Sequence, residues 1–250
     1  MSPKSLYLGA AALAAVFAGP SAFAQPVHNV ILVHGALVDG SGWRGVYEHL
    51  RAKGLHVTVV QEPNISLADD VQAVQRAIEQ QDGPVVLVGH SYGGQIITEA
   101  GVDPKVSALV YVAALVPDVG EGVGDLFGKW PSPTPDAFKA TADGFLLFDP
   151  AKFRAGFGAD LSNADADFMT NSQVPIAASI LGTKTQQVAW KTKPSYGIVA
   201  GRDMIVAPEA ERSMYKRANA QVTEVQGASH AVYISHPREV ADVIADAAGR

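Results

Sequence analysis

From residue 27 onward, short apolar runs alternate with stretches whose apolar positions recur at helical spacing. VHNVILVH (27–34), PVVLVGH (84–90) and KVSALVYVAAL (105–115) are nearly continuous apolar runs rich in β-branched residues. That is the pattern of strands buried on both faces. HVTVV (56–60) reads as a further, shorter strand. Between these runs, WRGVYEHLRAKG reads as a helix that Gly54 stops. Ser66 caps LADDVQAVQRAIEQQDG, in which Leu67, Val71, Val74 and Ile78 share one helical face and Gly83 ends the element. YGGQIITEAG, after Ser91, reads as a third helix. The order is β–α–β–α–β–α–β with short links. Parallel strands need helical crossovers, so the expected fold class is α/β, a mostly parallel sheet with helices on both faces.

The alternation breaks over residues 117–193. This stretch is rich in Pro, Gly, Ala, Ser and Thr, has no clear buried strand, and offers short helical candidates near 134–141, 149–157, 163–171 and 175–182. Some 77 residues are too many for a plain loop, so a helical lid inserted after the fourth strand is predicted. Alternation resumes with PSYGIVA (194–200), a helix near 208–218, QVTEVQ (221–226) and a last helix near 237–248.

Composition narrows the function classes. The chain has 250 residues, 48% of them hydrophobic, which suits a single domain with a large core. It has no cysteine, which excludes disulfides, a thiolate metal site and a cysteine nucleophile. A net charge of −6 without long charge runs speaks against a nucleic-acid partner. Residues 1–24 read as a signal peptide: Lys4, an apolar run from Leu6 to Ala18, then Ala22-Phe23-Ala24 as a small-x-small site. The apolar run is shorter than the roughly 20 residues that span a bilayer. Cleavage between Ala24 and Gln25 is predicted, with export to the periplasm or the medium. Residues 25–250 then form one domain that carries the 117–193 lid, with no further membrane-spanning segment.

The candidate chemistry centres on GHSYGG (89–94), where Ser91 sits between Gly89 and Gly93 as G-x-S-x-G after a buried strand and before a helix. A nucleophile elbow needs that context, with a serine on a tight, strained turn and glycines where side chains would collide. The α-helix that follows directs its positive end at the centre where negative charge develops. An oxyanion hole needs two N–H donors. Tyr92, after the nucleophile, supplies one candidate and Ala36, in the loop after the first strand, the other. His34 in that loop reads as a brace.

A serine needs a histidine base. Of seven histidines, His28 and His56 lie at strand starts, His49 on a surface-like helix and His90 inside the elbow. His230, in the loop after the last strand, is the candidate base, with His236 the residual one. Asp203, just after PSYGIVA, is the candidate acid, and Asp118 the alternative. The chain order Ser91, Asp203, His230 matches one known triad arrangement and differs from the two protease orders.

With these pieces in place, the chain resembles the α/β-hydrolase superfamily from Val27 to the C-terminus, through HGALVDGSGW, GHSYGG, AGRD and GASHAVYISHP. It is most similar to small bacterial esterases of the methyl esterase and hydroxynitrile lyase-like group. The resemblance implies ester hydrolysis of a small-molecule substrate through an acyl-enzyme, without metal or cofactor. Hydroxynitrile lyases of this type usually carry a lysine after the histidine, where this chain has Ala231. A perhydrolase or other non-hydrolytic enzyme on the same triad, and a ligand-binding protein with the hydrolase fold, are the alternative readings. Phe127, Trp130, Phe138, Phe145, Phe148, Phe153, Phe157, Phe168, Met169 and Ile180 of the lid, with Trp43 and Tyr92, are candidates to line an apolar pocket.

Overall fold

A computed structural model describes residues 27–249. The signal segment predicted over 1–24 lies outside them. Along the chain run β1 (Asn29–Val33), α1 (Arg44–Ala52), β2 (His56–Val59), α2 (Leu67–Glu79), β3 (Val85–His90), α3 (Gly93–Ala100) and β4 (Val106–Val112). The inserted segment holds α4 (Val123–Lys129), β5 (Phe138–Ala140), β6 (Phe145–Phe148), α5 (Pro150–Gly156), α6 (Asn163–Asn171) and β7 (Ile176–Ala177). The body then closes with β8 (Ser195–Ala200), α7 (Pro208–Arg217), β9 (Gln221–Val225), α8 (Val232–Ser235) and α9 (Pro237–Ala247).

The main sheet has six strands in the order β2-β1-β3-β4-β8-β9, and all its pairings are parallel. Its central strands are buried on both faces, and the period of two sorts their side chains. Ile31, Val33, Leu87, Leu109 and Tyr111 face one core, shared with α2, α3, α7 and the lid. Val30, Leu32, Val86, Val88, Val110 and Val112 face the other, shared with α1, α8 and α9. Burying each such side chain contributes about 1.5–3 kcal/mol. Ser66 caps α2 as its sequence predicts, its hydroxyl accepting from Asp69 N–H at 3.1 Å.

The lid departs from the helical expectation. Helices form over 150–156 and 163–171, close to the predicted 149–157 and 163–171. The other two candidates form only short 3-10 turns, over Pro135–Ala137 and Ala178–Gly182, each beside a short strand, and β5, β6 and β7 make a small antiparallel sheet in the order β5-β6-β7. FLLF (145–148) is the middle strand, and its pairing with two flanking segments outweighs their weak helical pattern. These strands are too short for periodicity to reveal. The short helix α4 was also not predicted.

The lid is fastened to the body close to the sheet's C-terminal ends. Ala231 N–H donates to Phe157 O at 3.1 Å. Asp160 accepts from the Ser229 N–H at 3.2 Å and from its hydroxyl. Thr134 Oγ1 donates to Met204 O at 2.5 Å. Phe153, fully buried, stacks on Phe157 at 4.9 Å and meets Phe148 edge-on at 5.5 Å. Phe153→Ala is therefore expected to lower unfolding free energy by about 3 kcal/mol, measured by urea titration. A change below about 1 kcal/mol would show that the lid packs differently.

Candidate active site

At the end of β3 the chain turns through Ser91, whose φ of 53° lies in the left-handed region. Neighbouring backbone holds it there: Ser91 N–H donates to Val112 O at 3.2 Å, and Ser91 O accepts from Gly94 at 3.0 Å and Leu115 at 3.1 Å. The two glycines of G-x-S-x-G are needed for close approach. A Cβ on Gly89 would lie 2.5 Å from Gly93 O, and one on Gly93 would lie 2.5 Å from His34 O. The turn thus presses the start of α3 against both β3 and the loop after β1.

His230 and Asp203 meet opposite this turn. His230 Nδ1 lies 2.6 Å from Asp203 Oδ2, and both side chains are fully buried. Asp203 Oδ1 accepts from the N–H groups of Ile205 at 2.6 Å and Val206 at 2.9 Å. These donors suit an ionised carboxylate, which makes His230 Nδ1 the donor and leaves Nε2 with its lone pair. Nε2 has no hydrogen-bond partner among the described residues. It is not bonded to Ser91 in this structure, although both residues line one cavity. In ligand-free sites such contacts are often long.

His90 packs, as its position in the elbow predicts, and it packs against the candidate base. Its ring lies 4.6 Å from that of His230, and its Nε2 is 3.0 Å from His230 O. Burial, and then the nearness of His230, hold its pKa well below the usual histidine value. A neutral His90 donates Nε2–H to His230 O and fixes the backbone of the histidine loop.

The other candidates lie elsewhere. Asp118 pairs with Lys191 at 2.5 Å, and His236 bonds to Ser235 at 2.8 Å; neither lines the cavity. His28, His49 and His56 are not among the cavity's lining residues.

Ala36 and Tyr92 do line the cavity beside Ser91. Among the described residues neither N–H donates a hydrogen bond within the chain. The loop that carries Ala36 is braced from beneath by His34, whose Nδ1 is 2.8 Å from Gly35 O and whose Nε2 is 2.5 Å from Glu62 Oε2. Burial disfavours charge on His34, but the hydrogen bond and charge of Glu62 prevail and raise its pKa. Burial raises that of Glu62. The Tyr92 hydroxyl is engaged by Asp70, donating to its Oδ2 at 2.7 Å. Burial, then the Asp70 charge, push the Tyr92 pKa up, so it stays a donor.

Three buried carboxyls near the site escaped the sequence reading: Glu62, Asp70 and Glu211. Two had a readable signal. Asp70 falls on the apolar stripe of Leu67, Val71 and Val74, and Glu211 falls one turn before Met214 and Tyr215. A carboxylate on a buried helical face needs partners.

The cavity measures about 300 Å³. Ser91 and His230 are the only polar side chains of its lining besides that of Tyr92. Of the predicted pocket residues, Phe127, Phe138, Phe148, Phe157 and Tyr92 line it. Trp130, Phe145, Phe153, Phe168, Met169, Ile180 and Trp43 do not. Phe153 and Ile180 are core, Phe168 is exposed, and Trp43 is buried on the opposite face of the sheet. Leu146, Ile176 and Leu181 take part instead, brought in by the small lid sheet and the turn after it.

Residues 30–243 match the alpha/beta hydrolase family. A probable hydrolase, R7, of Phoma sp. is 28% identical over 242 residues, covering 88% of this chain and 98% of that protein. Methylesterase 7 of Arabidopsis thaliana is 26% identical over 251 residues, covering 88% and 96%. The crystal structure of a pyrethroid hydrolase superposes with a TM-score of 0.78 at 24% identity, covering 89% of this chain and 98% of that one, a likeness of fold.

Tyr92→Phe removes the donor of a buried carboxyl and is expected to lower stability by about 2 kcal/mol, read from the urea midpoint. An unchanged midpoint would mean that Asp70 does not depend on that hydroxyl.

Proposed function

The chain belongs to the alpha/beta hydrolase family, and from that premise we propose that it is a serine carboxylesterase for small to medium apolar esters. The observation that carries the reading is the His230–Asp203 contact at 2.6 Å, with a free Nε2 on the cavity that Ser91 also lines. Esterase relatives support the reaction class, and the apolar lining supports the substrate class.

In this mechanism Ser91 Oγ attacks the ester carbonyl while His230 Nε2 takes its proton. Asp203 stabilises the imidazolium that forms. The N–H groups of Ala36 and Tyr92 hold the oxyanion, aided by the N-terminal end of α3. His230 returns the proton to the leaving alkoxide, and water then releases the acyl group by the same route. With no cationic side chain in the lining, the cavity favours uncharged substrates.

The pattern of residues 1–24 supports one more part of this reading, export with cleavage before Gln25. Intact-mass analysis of protein from the periplasm or medium is expected to find a chain that starts at Gln25. A chain retaining Lys4 there would contradict cleavage.

Hydrolysis of p-nitrophenyl butyrate tests the triad. Ser91→Ala is expected to cost on the order of 10⁶-fold in kcat and Asp203→Ala on the order of 10⁴-fold, by the subtilisin precedent. Asp118→Ala is expected to keep wild-type activity. Loss in Asp118→Ala together with full activity in Asp203→Ala would move the acid.

A further inference from the structure

Behind Asp203 lies a second buried carboxyl that the mechanism does not use. Glu211, on the first half of α7, is completely inaccessible to solvent. Its Oε2 accepts from Ala200 N–H, at the end of β8, at 3.0 Å. Its Oε1 accepts from no N–H or hydroxyl among the described residues. Asp203 lies in the turn just after Ala200, its N–H donating to Ala200 O at 3.1 Å, so the two buried carboxyls share the end of β8 as side-chain neighbours.

Two carboxyls in contact inside a protein cannot both ionise. Their donors decide which one holds the proton. Asp203 receives the N–H groups of Ile205 and Val206 and faces His230 Nδ1. Glu211 receives only Ala200 N–H. The anion therefore belongs on Asp203 and the proton on Glu211. Desolvation, then the Asp203 charge, act in the same direction, raising the Glu211 pKa well above its usual value. The other groups near this carboxyl do not reverse the assignment. Tyr215, on the same helix, donates or accepts only at backbone, and its pKa is raised by burial first; Tyr111 on β4 lies 6.3 Å beyond it. Arg212 turns outward to Glu224 on β9 at 2.8 Å.

We propose that Glu211 is a positioning residue for the triad, donating its carboxyl O–H to Asp203 and so holding that carboxylate in line with His230 Nδ1. This rests on Ser91, His230 and Asp203 being the triad. With the donor in place, part of the Asp203 charge is taken up by Glu211 and the carboxylate cannot swing off His230. Without it, Asp203 becomes more basic and binds the imidazolium more strongly, so the histidine deprotonates at higher pH, while the geometry loosens.

The test compares Glu211→Gln, which keeps a donor and an acceptor, with Glu211→Met, which keeps only the bulk. Both are assayed with p-nitrophenyl butyrate across pH, beside Ser91→Ala and with urea midpoints. Glu211→Gln is expected to retain kcat and the acid limb of kcat/KM. Glu211→Met is expected to lose on the order of tenfold in kcat at unchanged KM, with the acid limb moved to higher pH. The infrared difference spectrum of wild type minus Glu211→Gln, at neutral pH, is expected to show a protonated carboxylic C=O band. That band decides the matter if Glu211→Met does not fold. Its absence, an acid limb moved to lower pH in Glu211→Gln, or a folded Glu211→Met with wild-type kcat and pH profile would each overturn the proposal. Activity in Ser91→Ala would instead overturn the triad itself.

Discussion

The left-handed backbone of Ser91 is the setting around which the rest of the site is arranged. Such a conformation costs an ordinary L-residue on the order of 1–3 kcal/mol and persists only where its surroundings over-determine it. Here they do: β4 supplies an acceptor at Val112, the chain beyond it a donor at Leu115, and α3 a donor at Gly94. The glycines on either side let three backbone segments meet at van der Waals distance. As a result the serine, the Tyr92 N–H and the loop with Ala36 share one small space at the sheet's C-terminal edge, and little freedom is left for their relative placement.

Around that turn the structure buries acidic groups in an ordered way. Glu62 holds His34, and Asp70 holds Tyr92 and Asn64 N–H. Asp203 holds His230, with Glu211 behind it. Buried polar groups are costly unless partnered, and each of these acids meets a backbone N–H or a side-chain group of the segments that carry the site. The apolar cavity lies in front of these groups and the polar scaffold behind them. The lid takes part in both layers: its phenylalanines line the cavity, and its Asp160 grips Ser229 beside the histidine.

Much of this was readable in the sequence. The four central strands and the helices between them follow from β-branched runs and helical stripes, because strands buried on both faces leave an unmistakable apolar signature; the edge strands β2 and β9 are more exposed and carry only a short β-branched pattern. The family follows from motifs in order; of the candidate triad, Asp203 meets His230, and Ser91 lines the same cavity as His230. What the sequence hid is of two kinds. The lid sheet consists of strands of two to four residues, too short for a period of two, and their pairing is set by tertiary contact. Identity of the cavity wall depends on lid geometry, so Phe153 and Phe168, indistinguishable from Phe148 by composition, end in the core and at the surface. Asp70 and Glu211 were visible as acids on apolar helical faces, but their side-chain partners Tyr92 and Asp203 lie 22 and 8 residues away, which no local pattern reports.

The account stands or falls on Ser91 being an activated nucleophile. Treating the chain with a fluorophosphonate and mapping the adduct by peptide mass spectrometry tests that directly. The account predicts a single adduct, on Ser91, formed far more slowly when His230 is replaced by Ala. No adduct, or one on Ser91 formed at the same rate without His230, would contradict it.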